Sequence, residues 1–154
     1  MLDLKNQDER YMIYGMLFAL SNRIQTYGDS QFKEITLKQH FMLTAMELFG
    51  EVKPTLKELA DLIGCSYQNV KRMAVNLEEK GYLQIEVDAI DKRKLRLMRT
   101  DKFEILINEK QESTKVFINS LYKGITKEQL KVTLETLLHM EQNIGGQVTC
   151  KVEE

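Results

Sequence analysis

The chain has 154 residues, 43% hydrophobic and 29% charged, with a formal net charge of −1. That length suits one protomer domain with a single core, and no serine-rich or proline-rich linker divides it. The longest apolar run, Tyr11 to Leu20, is ten residues, whereas a membrane span needs roughly 18 or more, so no membrane-spanning helix is expected.

A single proline and eight glycines, with several helical patterns, predict a mostly α protein carrying a small β-hairpin. The first helix covers Tyr11 to Tyr27 and is apolar on more than one face, through Met12, Ile13, Met16, Leu17, Leu20 and Ile24. Such a helix is expected to be buried by more than its own small domain. The second begins at Thr36 with Gln39 completing a capping box, and Leu37, Phe41, Ala45, Leu48 and Phe49 form its apolar side.

The third opens with Thr55 as N-cap and Glu58 three residues on, and places Leu56, Leu59, Ala60 and Ile63 on one face before Gly64 ends it. Ser66 caps the fourth, in which Val70, Met73, Ala74 and Leu77 recur at helical spacing up to Gly81. The turn between these two helices is only Gly64-Cys65-Ser66. A turn of about three residues containing glycine crosses two helices steeply and projects the second outward, the arrangement of a DNA-binding helix-turn-helix.

After Gly81 the pattern alternates. Leu83, Ile85 and Val87 share one face, Lys94 to Leu97 repeat the alternation, and the segment Asp88 to Arg93 reads as the tip of a hairpin. A long helix follows from about Asp101 to Lys123 with Phe103, Leu106, Ile107, Phe117, Ile118 and Leu121, and Gly124 breaks it. Thr126 with Gln129 caps a last helix striped by Leu130, Leu134, Leu137 and Leu138, and Gly145-Gly146 ends the order. The fold class expected is therefore a winged helix-turn-helix with N- and C-terminal dimerisation helices. Its parts are an arm over 1–35, a DNA-binding lobe over 36–100 with the recognition helix at about 66–80 and the wing at about 82–99, C-terminal dimerisation helices over 101–146, and a disordered tail over 147–154.

The near-zero net charge conceals a gradient. Residues 53–99 hold ten basic and seven acidic side chains, while residues 1–52 hold five and seven, and residues 100–154 hold seven and nine. Phosphate attraction acts within a Debye length of about 8–10 Å, so a basic centre between acidic arms can bind DNA in a nearly neutral protein. In the fourth helix the face opposite Val70, Met73, Ala74 and Leu77 carries Tyr67, Gln68, Asn69, Lys71, Arg72 and Asn76. Gln68 and Asn69 have the amide geometry for adenine edges, Arg72 can address guanine or phosphate, and Lys71 suits phosphate. Ser66 and Thr55 can donate to phosphate, although capping is their first role. Lys92, Arg93 and Lys94 at the hairpin tip suit phosphate or minor-groove contact beside a helix-turn-helix, and form a solvated hairpin end without one. Asp91 pairs with Arg93 or caps the turn, orienting the wing. The apolar stripes of the terminal helices exceed what the central motif can cover, which predicts a symmetric dimer whose two recognition helices read a near-palindrome; the alternative is that the stripes close an intramolecular core.

The order of elements and these residues resemble the multiple-antibiotic-resistance regulator (MarR) family over roughly residues 8–143. The resemblance is strongest in LKELADLIGCSYQNVKRMAVNLEEKGYL and in the wing DAIDKRKLRLMRT, where Asp91 and Arg93 match an Asp-x-Arg signature closed by Thr100. The sequence departs at Phe103, where glycine is common, at Ala89, where proline is frequent, and in having one wing arginine fewer than many relatives. The resemblance implies a homodimer that binds operator DNA, often as a repressor relieved by a small ligand or an oxidant. In that architecture a pocket between arms and lobe would draw polar groups from Tyr11, Tyr14, Arg23, Gln39 and His40, for a small aromatic or amphipathic effector; the same residues equally serve as core, interface or surface.

Cys65 in the helix turn is a small packed side chain or an oxidant sensor, and Cys150 lies in the tail. Neither belongs to a metal spacing or a disulfide framework, which suits a reducing cytoplasm and no cofactor. No Lys/Arg-rich leader precedes the first helix, so secretion is not expected. With only His40 and His139, no glycine-rich phosphate loop and no nucleophile with its base, an enzyme is not expected. The competing reading is a winged-helix protein-interaction module without specific DNA binding.

Overall fold

A computed structural model describes residues 8–146. The expectations about the tail at 147–154 and about Cys150 lie outside the described residues. The element order is α1 (Glu9–Gln31), α2 (Leu37–Glu47), α3 (Leu56–Leu62), α4 (Tyr67–Glu79), β1 (Leu83–Val87), β2 (Leu95–Arg99), α5 (Asp101–Leu121) and α6 (Lys127–Asn143). The chain forms two compact units, Met1–Phe41 and Met42–Glu154, with the boundary inside α2.

In the first unit, Asp8 caps α1 by accepting from the Arg10 amide at 2.9 Å, and its carboxylate also pairs with the Arg10 guanidinium. The helix leaves Tyr11, Tyr14, Met16 and Phe18 more than half exposed in the protomer. At its C-terminal end, a Cβ on Gly28 would stand 2.5 Å from Leu37 Cδ2, so only glycine permits this approach of the α2 start. Asp29 Oδ1 accepts from the Leu37 amide at 2.6 Å, and Thr36 and Gln39 cap α2 reciprocally at 3.2 and 3.0 Å. The buried side of α2 differs from the expected one: Met42, Leu43, Ala45 and Met46 are buried, while Phe41 and Leu48 are exposed. The helix ends at Glu47 and turns through Gly50 (φ 56°), which carries Leu48 off the helical face.

The second unit gathers Met42, Leu43, Met46, Leu56, Leu59, Val70, Leu77, Leu83, Leu97 and Phe103 into one core, each essentially inaccessible to solvent. β1 and β2 pair antiparallel, from Leu83↔Arg99 to Val87↔Leu95. The backbone at Pro54 and Thr55 adds to the outer side of β2, through Leu97 N donating to Pro54 O at 2.8 Å and a bridge between Thr55 and Arg96. Phe103 is fully buried at the base of this sheet. The phenylalanine at that position supplies core volume. α5 is buried at Phe103 and Leu106, and α6 has no buried residue. None of the described helices is long and apolar enough to cross a membrane.

Candidate nucleic-acid interface

The α3–α4 pair is set by its caps. Thr55 Oγ1 accepts from the Glu58 amide at 3.1 Å, and Glu58 Oε2 accepts from the Thr55 amide at 2.7 Å, which together satisfy two donors that the first turn leaves open. The Thr55 amide holds the Glu58 carboxyl below its ordinary range. Gly64, at φ 64°, reverses the chain, Cys65 N donates to Ala60 O at 3.0 Å, and Ser66 Oγ accepts from the Asn69 amide at 3.3 Å. With Val70, Ala74 and Leu77 wholly buried, the helical period turns Tyr67, Gln68, Asn69, Lys71 and Arg72 outward, all exposed. Asn76 is half-buried, at the edge of that face. Arg72 Nη2 lies 3.5 Å from Asn69 Oδ1, so the two polar side chains adjoin one turn apart.

The wing tip, residues 88–94, is organised by Asp88, one of the two turn-forming aspartates of that segment. Asp88 is buried, and its Oδ1 accepts from the amides of Ile90 at 2.8 Å and Asp91 at 2.7 Å. Its Oδ2 accepts from Arg96 Nε, and Arg96 Nη1 donates to Lys53 O at 2.5 Å. The Asp91 amide, the Arg96 guanidinium and the Ile90 amide lower the Asp88 pKa to about 2. The signal was present as an aspartate two and three residues before the amides it captures, the spacing of an Asx turn. Asp91 accepts from the Arg93 amide at 3.2 Å and from its Nε at 3.1 Å, with Lys94 Nζ 3.9 Å away. Both roles considered for Asp91, pairing and turn capping, are thus filled, and the Arg93 guanidinium, its strongest partner, holds the carboxyl below its ordinary range. Lys92, Arg93 and Lys94 are exposed.

Helix and wing are tied at their base. Glu78 Oε1 on α4 accepts from the Ile85 amide at 2.7 Å, and Thr100 Oγ1 donates to Gly81 O at 2.8 Å. Lys102 Nζ donates to Lys80 O at 2.8 Å and lies 4.5 Å from the centre of the Tyr82 ring. The positive charge of residues 53–99 is correspondingly uneven. Lys53, Lys57, Arg96 and Arg99 sit against Glu86, Asp61, Asp88 and Glu104, whereas Lys71 and Arg72 stand exposed on α4 and Lys92 at the tip.

The residues considered for an effector do not converge in the same way. Tyr14 packs edge-on against Phe18 at 5.1 Å, Gln39 is engaged in the α2 cap, and the buried His40 stacks on Phe32 at 4.7 Å. Tyr11 lies about 25 Å up the axis of α1 from the Gly28 approach, by the helical rise of 1.5 Å per residue. A cavity of about 320 Å³ opens elsewhere, lined by Met46, Glu51, Val52, Pro54, Leu97, Arg99, Asp101 and Glu104 among others. Cys65 is half-buried and in no disulfide among the described residues. Among the described residues no group of His, Cys, Asp and Glu could hold a metal ion.

No family model matches the sequence. The fold is nevertheless shared with solved structures of MarR-type regulators. A MarR protein from Peptoclostridium difficile superposes with a TM-score of 0.78 at 23% identity, covering 94% of this chain and 92% of that one. The organohalide-sensing regulator RdhR, in its 2,4-dichlorophenol-bound form, gives 0.80 at 13% identity, covering 100% and 95%. MepR of S. aureus, in its complex with DNA, gives 0.72 at 22% identity, covering 85% and 97%. The chain therefore has the winged-helix fold of MarR regulators.

Proposed function

We propose that this chain is a MarR-family transcriptional regulator, a homodimer that binds a near-palindromic operator in duplex DNA as a repressor in the cytoplasm. The observation that carries the reading is the exposed face of α4 beside a cationic wing held in place by Asp88 and Arg96. Gln68 and Asn69 read base edges, Arg72 addresses guanine, and Ser66, Tyr67, Lys71 and Asn76 contact the backbone at the groove's rim. Lys92, Arg93 and Lys94 hold phosphates, with Asp91 orienting them rather than touching DNA. The fold likeness to MepR, solved on DNA, supports this use of the two elements.

Dimerisation is supported by apolar surface left open on α5 and α6. Val116 and Ile118 on α5 and Leu134 and Leu137 on α6 are each 40% exposed or more, the α6 pair one helical turn apart. A second copy covering that surface would set two recognition helices about one DNA turn apart. A small aromatic or amphipathic effector relieving repression is the further part of the proposal, with Tyr11, Tyr14, Gln39 and His40 as the residues to vary. The structural neighbour bound to 2,4-dichlorophenol motivates it.

The test is retention of a random duplex over a salt series, followed by selection of bound sequences from a random DNA pool. Steep salt-dependent retention and an enriched near-palindrome are expected. Salt-insensitive or absent retention would instead leave the protein-interaction module as the reading.

A further inference from the structure

We propose that Ile90 is an apolar wedge that enters the minor groove beneath the wing and partly unstacks a base step, an inference that rests on the DNA-binding reading above. Ile90 is 96% exposed, the highest value for a large apolar side chain among the described residues. It stands at the tip of the hairpin, beyond the last ladder pair, Val87↔Leu95. Its own amide and that of Asp91 both donate to Asp88 Oδ1, so the backbone on each side of the side chain is fixed. Arg96 carries that constraint back to Lys53 O, next to the cap of α3. A β-branched side chain is stiff about χ1, so the tip presents an apolar group with little conformational freedom left to lose on binding.

The surroundings select nucleic acid over a protein partner. Ile90 is followed at once by Asp91 and the exposed Lys92, Arg93 and Lys94, and Arg93 is aligned by its contacts to Asp91. A protein-docking patch spans several hundred Å² of contiguous apolar surface, far more than Ile90 and the partly exposed Val87 offer beside three cations. Cations flanking a single rigid aliphatic group match the minor groove, where phosphates line the walls and an inserted Ile, Leu or Met can separate base steps. Arg93 and Lys92 then neutralise the walls while Ile90 meets the floor.

The experiment uses the full chain and a duplex that the wild-type protein recovers from a random pool, with 2-aminopurine placed at successive positions. Wild type is expected to raise 2-aminopurine fluorescence at one step on each side of the operator centre. Ile90→Ala should abolish that rise and weaken binding about tenfold, because less apolar area is buried in the groove, with the salt slope unchanged. Ile90→Met should keep both the rise and the affinity. Lys92→Ala should show the opposite pattern, a lower salt slope with the fluorescence rise intact. Because Ile90 is almost wholly solvated, the alanine variant should melt at the wild-type temperature. Equal affinity and equal fluorescence for wild type and Ile90→Ala would overturn the wedge while leaving the DNA-binding reading in place. Failure of the wild type to retain any duplex would overturn both.

Discussion

The Asp88 carboxylate accepts from the Arg96 guanidinium across the mouth of the wing, while its other oxygen takes two tip amides. One side chain thus converts a seven-residue loop, which would otherwise lose entropy on meeting DNA, into a shape already formed. Arg96 extends the same network to Lys53 O, so hydrogen bonds join the tip to the entrance of α3.

Removing that joint should loosen the tip without unfolding the lobe. Asp88→Ala is expected to abolish hydrogen-exchange protection of the Ile90 and Asp91 amides and to weaken operator binding. Protection equal to wild type would show that the backbone ladder alone holds the tip.

The same carboxyl sets a pH dependence. Its folded-state pKa is lowered from 3.8 to about 2, so the stability it contributes is fully present above about pH 4 and is lost as pH falls through about 2. Wing order should be flat between pH 5 and 8 and should decay between about pH 4 and 2, in advance of helix loss by circular dichroism. A loss of tip protection near neutral pH would contradict this assignment.

Two substitutions separate reading from anchoring. Arg72→Ala should weaken binding to the selected operator by about 1–3 kcal/mol and relax preference at one base pair, whereas Lys92→Ala should lower the slope of log K against log salt by about one unit. Titrations at four or more salt concentrations measure both, and an unchanged affinity in Arg72→Ala would remove that residue from the interface.

Phe103 is a stability residue. Because its ring is wholly buried, Phe103→Ala should cost about 3–5 kcal/mol in urea unfolding. Thr55→Ala, which breaks the reciprocal cap of α3, should cost about 1 kcal/mol and lower the melting temperature by roughly 2–4 °C. If the two losses were equal, Phe103 would not occupy a tightly packed site.

Charge placed on the open stripe should separate assembly from folding. Leu134→Glu lies on a helix with no buried residue in the protomer, so the variant should remain helical while its mass in solution falls from that of a dimer to that of a monomer. An unchanged dimer would move the interface off α6.

The sequence by itself determined the features that act over a few residues. The caps at Thr55, Ser66 and Thr126 are formed as read, because a side-chain oxygen reaches an amide three residues on whatever the rest of the chain does. The outward face of α4 was equally legible, since helical period fixes it once Val70, Ala74 and Leu77 are buried. The second helix was less so: Phe41 and Leu48 carry the apolar pattern, yet Met42, Leu43 and Met46 are buried, because burial depends on which neighbours pack against a face. The Asx turn at the wing tip is local too, but the tie that anchors it to the lobe was decided by tertiary structure. Arg96 meets Asp88 and Lys53 at separations of 8 and 43 residues, and no local rule pairs them. Strand register and the packing of β2 beside Pro54 bring the three together, and so anchor the tip on which Ile90 stands exposed.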